Sequence, residues 1–161
     1  MTPSRLRRLL NFYPPFLFAG IRCESVSADF RHAQVALRQR WYNRNYVGTH
    51  FGGSLYSMTD PFFMIMLLQN LGSDYLAWDR RGEVEFVKPG TGTVRAEFRI
   101  SDNDLTQIRA ATAGGDKVEH WFATEVIDEQ GEVVARIRKQ VYARLKRKAR
   151  PTDQRERPDS P

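Results

Sequence analysis

The chain has 161 residues, the size of one domain that can bury a core of its own. Hydrophobic residues make up 41% of the chain and charged residues 27%, which excludes a protein that is disordered throughout. Cys23 is the single cysteine, so an intramolecular disulfide and a thiolate metal centre are excluded. A reducing compartment, the cytoplasm, is therefore expected.

The net charge of +6 comes from one region near the carboxyl end. Residues 136–150 hold eight of the 25 lysines and arginines and no acid, which leaves 17 bases against 19 acids elsewhere. Such a run fits any polyanion: nucleic acid, an acidic membrane, the phosphates of coenzyme A or an acidic carrier protein. A solvated segment that only raises solubility is the plainer alternative. Because Tyr142 is the only aromatic residue in the run, nucleic acid is the less favoured partner.

Two apolar stretches resemble targeting or membrane segments only loosely. Three arginines precede the apolar run 9–19, as in a signal peptide, but a pair of prolines interrupts that run and predicts a short helix that ends before them. The longest apolar segment, 55–71, contains Asp60 and Pro61, which favours a buried helix over a membrane span.

The apolar pattern predicts an α+β fold. Alternating apolar residues predict six strands, over residues 21–27, 31–41, 83–88, 94–100, 117–127 and 132–144. A helix over about 53–71, kinked at Pro61, is apolar nearly all round and must be enclosed by protein, and a short helix is expected over 102–113. A curved antiparallel sheet wrapped around the long helix would enclose it, and the other face of the sheet would be left for a second copy of the chain.

The same pattern divides the chain into three parts. Residues 1–19 form a helical, proline-rich lead-in, and residues 20–145 form the folded domain. Residues 146–161 are a tail that is first basic and then polar. Beyond Arg150 the tail has no apolar residue and is predicted to be disordered.

The candidate chemistry lies where the long helix begins. Gly52 and Gly53 allow a ligand to approach backbone N–H groups that have no intrahelical acceptor and lie at the positive end of the helix dipole, so an oxyanion can bind there. Seven residues after Gly53, Asp60 interrupts the apolar helix. Burial among aromatic and methionine side chains is expected to strengthen this carboxylate as a general base.

Gly53 and Asp60 are too far apart to act on one carbonyl within a single helix. At ~1.5 Å per residue they are separated by about 10 Å along the helix axis. A two-fold dimer can bring the helix start of one copy to the mid-helix of the other, twice per dimer. The sequence therefore predicts active sites at a dimer interface, in a homodimer or a dimer of dimers.

Two motifs carry a family resemblance. The segment NxxGxHFGGSLYSMTD, residues 45–60, and the segment EVEFVKPG, residues 83–90, resemble the hotdog-fold acyl-CoA thioesterases, especially the phenylacetate-pathway type and its uncharacterised relatives. The resemblance covers about residues 20–145. It implies a hotdog fold, in which a curved antiparallel sheet wraps one long helix, and hydrolysis of acyl-CoA or acyl-carrier thioesters.

The resemblance also implies roles for residues of the first motif. Asp60 would be the base, or the nucleophile, that directs water at the thioester carbonyl. The Gly53 N–H would stabilise the oxyanion, a contact worth about 3 kcal/mol in such sites. Asn45 would orient the substrate or water. His50 is a further candidate, although Phe51 separates it from the glycines, whereas the family has His-Gly-Gly at this point.

Substrate contacts are expected beside these residues. Gly52 and Ser54 adjoin the expected oxyanion site. The phosphates of coenzyme A need cations, for which Arg80, Arg81 and Lys88 are candidates together with the basic cluster 144–150. No cofactor other than the thioester substrate is expected, and no metal, because a carboxylate base suffices to activate water.

Other interpretations of these residues stay open. Asp60 can be a structural acid that pairs with a backbone group or with an arginine across a dimer, and the two glycines can serve only to start the helix. The alternative function is a non-catalytic module that binds acyl-CoA or an acyl carrier. A hydratase-type hotdog site is disfavoured, because it needs histidine five residues after the aspartate, where Ile65 stands. His32 and His120 are expected to be structural.

Overall fold

The computed structural model describes residues 1–151, so the disorder predicted for residues 152–161 lies outside the described part of the chain. Two helices, α1 (Pro3–Phe12) and α2 (Pro14–Ala19), come first. The short helix expected before the prolines is confirmed. The second helix was not expected, and it begins at the prolines because the first turn of a helix needs no N–H donor from them. Both helices bury side chains in the main core, at Leu6, Leu10 and Phe16.

The remaining elements follow the predicted order. They are β1 (Ile21–Val26), β2 (His32–Arg38), α3 (Gly52–Ser57), α4 (Phe62–Leu71), β3 (Tyr75–Phe86), β4 (Thr93–Arg99), α5 (Asp102–Thr112), β5 (Lys117–Ile127) and β6 (Val133–Leu145).

The six strands form one antiparallel sheet in the order β1-β2-β4-β5-β6-β3. The alternation along β4 determines which face of the strand points into the core. Val94, Ala96 and Phe98 are buried, while the residues between them are exposed. Strand β3 begins at Tyr75, eight residues before the predicted start. Its first half lacks regular alternation, and its register shifts between Asp79 and Arg81.

The long helix is two helices. Residues 58–61 form a turn between α3 and α4, so the predicted kink at Pro61 is a complete break. Proline has no N–H to donate back to α3, but its carbonyl accepts from Ile65 N and starts α4. Helix α4 supplies the centre of the core, where Phe62 stacks on Phe98 with ring centroids 4.5 Å apart and Phe63 stacks on Phe122 at 4.8 Å. The α+β architecture expected from the sequence is confirmed, with this helix pair against the sheet.

Strand β3 is an open edge of the sheet. It pairs with β6 on one side only, and its inward-facing Val84 and Phe86 are 37% and 55% exposed. A long edge strand with free backbone groups and uncovered apolar side chains is a template for pairing with another chain. Among residues 1–151, none of the helices is both long enough and apolar enough to cross a bilayer.

Candidate active site

Asp60 lies at the end of the turn that separates α3 from α4. Its side chain is 58% exposed, so the expected burial among apolar residues is wrong for the single chain. The break at Pro61 is the reason, because it turns residue 60 away from the apolar face that a continuous helix would have given it.

A buried lysine holds the Asp60 carboxylate. Lys139 of β6 has a side chain only 1% exposed, and its Nζ donates to Asp60 Oδ1 over 2.7 Å. The same ammonium donates to Asp79 Oδ2 over 3.0 Å and to the Tyr56 hydroxyl over 3.2 Å, with the Tyr56 ring centroid 4.7 Å away. All three lysine donors are thus used, and one oxygen of Asp60 is fixed in direction.

Burial and charge oppose each other in this cluster. Burial lowers the pKa of Lys139, but the hydrogen bonds that its ammonium donates to Asp60, Asp79 and Tyr56 outweigh this effect and hold that pKa above its ordinary value. Burial raises the pKa of Asp79, and Lys139 offsets this only in part. The lysine therefore stays charged at neutral pH and carries two carboxylate partners.

A glycine in β3 makes room for the cluster. A Cβ atom built on Gly82 would lie 1.8 Å from the Tyr56 hydroxyl oxygen, so no other residue fits there without moving Tyr56. Helix α3 runs along β3 in this region, since a Cβ on Gly52 would lie 2.9 Å from Cζ of Phe86. The open edge strand and the start of α3 are therefore neighbours.

A groove of about 520 Å³ has Asp60 in its wall. Helices α1 and α2 provide one side of it through Leu9, Tyr13 and Phe16, and the other side includes Ser57 and Asp60. The sequence predicts a lead-in that is separate from the folded domain. The part of the groove wall formed by α1 and α2 is therefore not expected from the sequence. The groove is apolar apart from a few polar groups, which is the usual composition of a small-molecule site.

The start of α3 is on the same open side. Gly53 and Ser57 are exposed one helical turn apart on α3, and Asp60 is exposed in the turn that follows. The first N–H groups of α3, at Gly52 and Gly53, have no acceptor within the helix. Ser54 is half-buried, and its N–H donates to Phe51 O.

His50 and Asn45 hold the loop before α3. His50 is buried, and its Nε2 lies 3.1 Å from Gly92 O, at the turn that leads into β4. The Asn45 amide donates to Thr49 Oγ1 and His50 O, and its oxygen accepts from Val47 N and Thr49 N. Both side chains hold the loop, and both also line a cavity of about 410 Å³ together with Gly52 and Lys88, so their expected contact with a substrate stays a prediction.

The His50 ring gives a pH-dependent prediction. Burial lowers the pKa of His50, and its Nδ1 has no partner among the described residues. A histidine whose folded pKa lies below its unfolded value near 6.5 stabilises the fold above that value and loses this contribution as the pH falls. We expect His50→Gln to flatten the fall in Tm between about pH 7.5 and about pH 5.5, because glutamine can still donate to Gly92 O without titrating.

Thermal melts of the wild type, His50→Gln and His32→Gln test this. His32 lies at the sheet surface, 3.4 Å from Glu97, and serves as the matched control. The slope should flatten more in His50→Gln than in His32→Gln. An unchanged slope of Tm against pH in His50→Gln would contradict the conclusion that the His50 ring is buried and neutral.

The expected phosphate-binding cations are mostly engaged. Lys88 pairs with Asp128 at 2.6 Å and with Glu132, and Arg80 pairs with Glu119 at 2.9 Å. Only Arg81, exposed on β3, has no ion pair with a described residue. Two of these three residues, Lys88 and Arg80, are therefore neutralised by acids within the chain.

The basic run 136–150 is also largely neutralised where it forms β6. Arg136 pairs with Glu85 and Glu125, and Arg138 pairs with Glu83 and lies over the Trp121 ring, 4.6 Å from its centroid. Lys139 is the buried cation described above. The first half of the run is therefore a cross-strand ion-pair ladder with one internal lysine, whereas the basic residues of the cluster 144–150 make no ion pair within residues 1–151.

Comparison with known proteins places the chain in a family and a fold. A family model described as "Domain of unknown function (DUF4442)" matches residues 4–143. A protein of unknown function from Pseudomonas aeruginosa, named "Probable Thioesterase", is 22% identical and has a TM-score of 0.80 over 89% of this chain and 97% of that one.

Two further solved structures have the same fold. The E. coli PaaI protein from the phenylacetic acid degradation operon is 17% identical, with a TM-score of 0.62 over 86% of this chain and 90% of the other. A thioesterase from Haemophilus influenzae is 10% identical, with a TM-score of 0.66 over 89% and 90%. No curated protein matches the chain. These likenesses confirm the hotdog fold.

Proposed function

Because the chain belongs to the DUF4442 family and has the fold of thioesterase-like hotdog proteins, we propose that it hydrolyses acyl thioesters at the groove beside Asp60. The observation that carries this proposal is the Asp60 carboxylate itself. One oxygen is held by a buried lysine, and the other has no hydrogen-bond partner among residues 1–151. A half-exposed carboxylate fixed in the wall of an apolar groove is suited to act as a base on a bound water.

The proposed hydrolysis uses Asp60 as its only acid–base group. Asp60 Oδ2 removes a proton from water as the water oxygen bonds to the thioester carbonyl carbon. The tetrahedral oxyanion accepts a hydrogen bond from the Gly53 N–H, a stabilisation of about 3 kcal/mol in comparable sites. The carbon–sulfur bond then breaks, and the proton passes from Asp60 to the departing thiolate. The proposed reaction needs neither a metal nor a resident cofactor.

The acyl group is assigned to the apolar groove. Its walls come from two separate parts of the chain, the lead-in helices and the α3–α4 turn, so the groove is a packed feature of the folded protein. With Lys88 and Arg80 already paired, Arg81 and the basic cluster 144–150 remain the candidate cations for the coenzyme A phosphates. An acidic carrier protein stays the alternative acyl donor, and the cytoplasm remains the proposed compartment.

The proposed site is completed by a second copy of the chain. Strand β3 offers an open edge, and Gly53, Ser57 and Asp60 are exposed near it. A two-fold pairing of β3 edges would cover Val84 and Phe86 and would bring each α3 towards the partner. Asp60 of one copy and Gly53 of the other would then face one substrate, in a homodimer or a dimer of dimers.

Hydrolysis by the purified protein tests the proposal. Short, long and aromatic acyl-CoAs are each mixed with the protein, release of free thiol is followed, and binding of coenzyme A is measured separately. We expect thiol release with at least one acyl group. Binding without thiol release across the panel would overturn the enzymatic proposal and favour the non-catalytic acyl-CoA-binding module.

A further inference from the structure

A second groove, of about 500 Å³, lies between α1 and the outer strands. Five arginines line it, which we call the arginine groove: Arg7, Arg8, Arg22, Arg38 and Arg40. They come from three places in the chain, namely α1, β1 and the end of β2. None of the residues that line the groove is acidic.

These arginines differ from the ion-paired arginines of the sheet, and although Arg81 and Arg144 also lack an ion pair within residues 1–151, the groove gathers five such arginines around one cavity. Six other arginines of the described chain pair with carboxylates: Arg31, Arg80, Arg95, Arg99, Arg136 and Arg138. None of the five in the groove makes an ion pair within residues 1–151. The nearby Glu24 gives Arg7 only its backbone oxygen, since its carboxylate is paired with Arg95. Five like charges around one cavity repel one another unless an anion joins them.

The rim of the arginine groove is apolar and exposed. Phe12, Leu17 and Tyr42 line it and are 72%, 50% and 52% exposed. Trp41, 84% exposed, touches Tyr42 with ring centroids 5.5 Å apart. Single exposed apolar residues need no explanation, but an apolar and aromatic rim around unpaired guanidinium groups is the pattern of a surface at a membrane interface.

We propose that the arginine groove binds phosphate headgroups of an anionic lipid bilayer, while Phe12, Leu17 and Tyr42 enter the bilayer interface. Guanidinium groups suit phosphate because they donate two parallel hydrogen bonds. A free phosphate compound would satisfy the charges and leave the apolar rim in water. A bilayer satisfies both, since it presents anionic phosphates above an apolar layer. The contact is peripheral, because only a surface groove and the side chains at its rim meet the bilayer.

Sedimentation with lipid vesicles tests the proposal. The full-length protein should bind phosphatidylcholine vesicles that contain phosphatidylglycerol and should stay in the supernatant with phosphatidylcholine alone. The variant Arg8→Gln/Arg22→Gln/Arg40→Gln should bind the anionic vesicles roughly 100-fold more weakly. The matched control Lys146→Gln/Arg147→Gln/Lys148→Gln removes the same charge from the other basic segment and should bind more tightly than the groove variant.

The apolar rim is tested at constant charge. Phe12→Ser should weaken binding to the anionic vesicles, whereas Tyr46→Ser, at a fully exposed aromatic residue of the loop before α3, should not. Unchanged thermal melts establish that each variant is folded. Equal binding to neutral vesicles, equal losses in the two triple variants, or binding of inorganic phosphate or single-stranded DNA without binding of vesicles would each overturn the proposal.

Discussion

Replacing Asp60 with asparagine is expected to lower kcat/KM for thioester hydrolysis by about 10²- to 10⁴-fold, the range for loss of a general base. The amide keeps the shape of the carboxylate, and its oxygen can still accept the hydrogen bond from Lys139. It cannot take a proton from water. Lys139 also keeps Asp79 and Tyr56 as partners, so the variant should remain folded.

The control for Asp60→Asn is Asp116→Asn, which removes one exposed carboxylate from the turn before β5. Its kcat/KM should equal that of the wild type. If Asp60→Asn hydrolyses the best acyl-CoA of the panel as fast as the wild type does, Asp60 is a structural acid and the proposed base is wrong.

Replacing Lys139 with methionine is expected to destabilise the fold by about 3–5 kcal/mol, the usual cost of removing one partner from a buried ion pair. Methionine fills a similar volume, so the loss reports charge rather than a cavity. The loss of stability arises at Asp79. Its side chain is only 24% exposed, and burial already raises its pKa. Without the ammonium its carboxylate stays buried and unpaired at neutral pH.

Urea unfolding at neutral pH measures this loss, with Lys148→Met as the control because Lys148 is exposed. The double variant Asp79→Asn/Lys139→Met removes both buried charges and should regain most of the lost stability. Equal stability of Lys139→Met and Lys148→Met would show that the cluster contributes little to the fold.

Alternation along the strands was enough to predict most of the fold. On β4 the buried residues are every second one, so both the strand and its face followed from the sequence. Strand β3 was harder, because a register shift and Gly82 interrupt its pattern. The helix break was half-predicted: Pro61 signalled it, but a sequence does not tell how far a proline will bend its helix.

The sequence contains a signal for the buried position of Lys139. Counting this lysine among the charges of the basic run conceals that signal. Along β6 the inward positions are Ile137, Lys139 and Val141, so strict alternation places the lysine in the core. A lysine on an apolar face needs acidic partners, because an unpaired buried charge is costly. That requirement singles out acids on apolar segments, of which Asp60 is one, whereas the pairing with Asp79 depends on the register of β3 against β6.

Other features depend on contacts between distant segments. The five groove arginines are spread from residue 7 to residue 40, and no local pattern joins them. Tyr142 is the only aromatic residue within the basic run, yet strand pairing stacks Trp78 on it with ring centroids 4.2 Å apart. Such contacts cannot be predicted from the local sequence, because they form only when distant strands pair.

Mixing two inactive variants tests the central claim, a site shared by two copies with Asp60 from one and Gly53 from the other. Gly53→Pro removes the proposed oxyanion donor without removing a helical hydrogen bond, since proline is accepted in the first turn, and the exposed Phe51 side chain shifts to make room for its Cβ. Asp60→Asn and Gly53→Pro are unfolded together, refolded at equal concentration and assayed. Random pairing makes half of the dimers mixed, each with one intact site, so the account predicts recovery of about a quarter of the wild-type activity. No recovery above the separate variants would contradict a shared site.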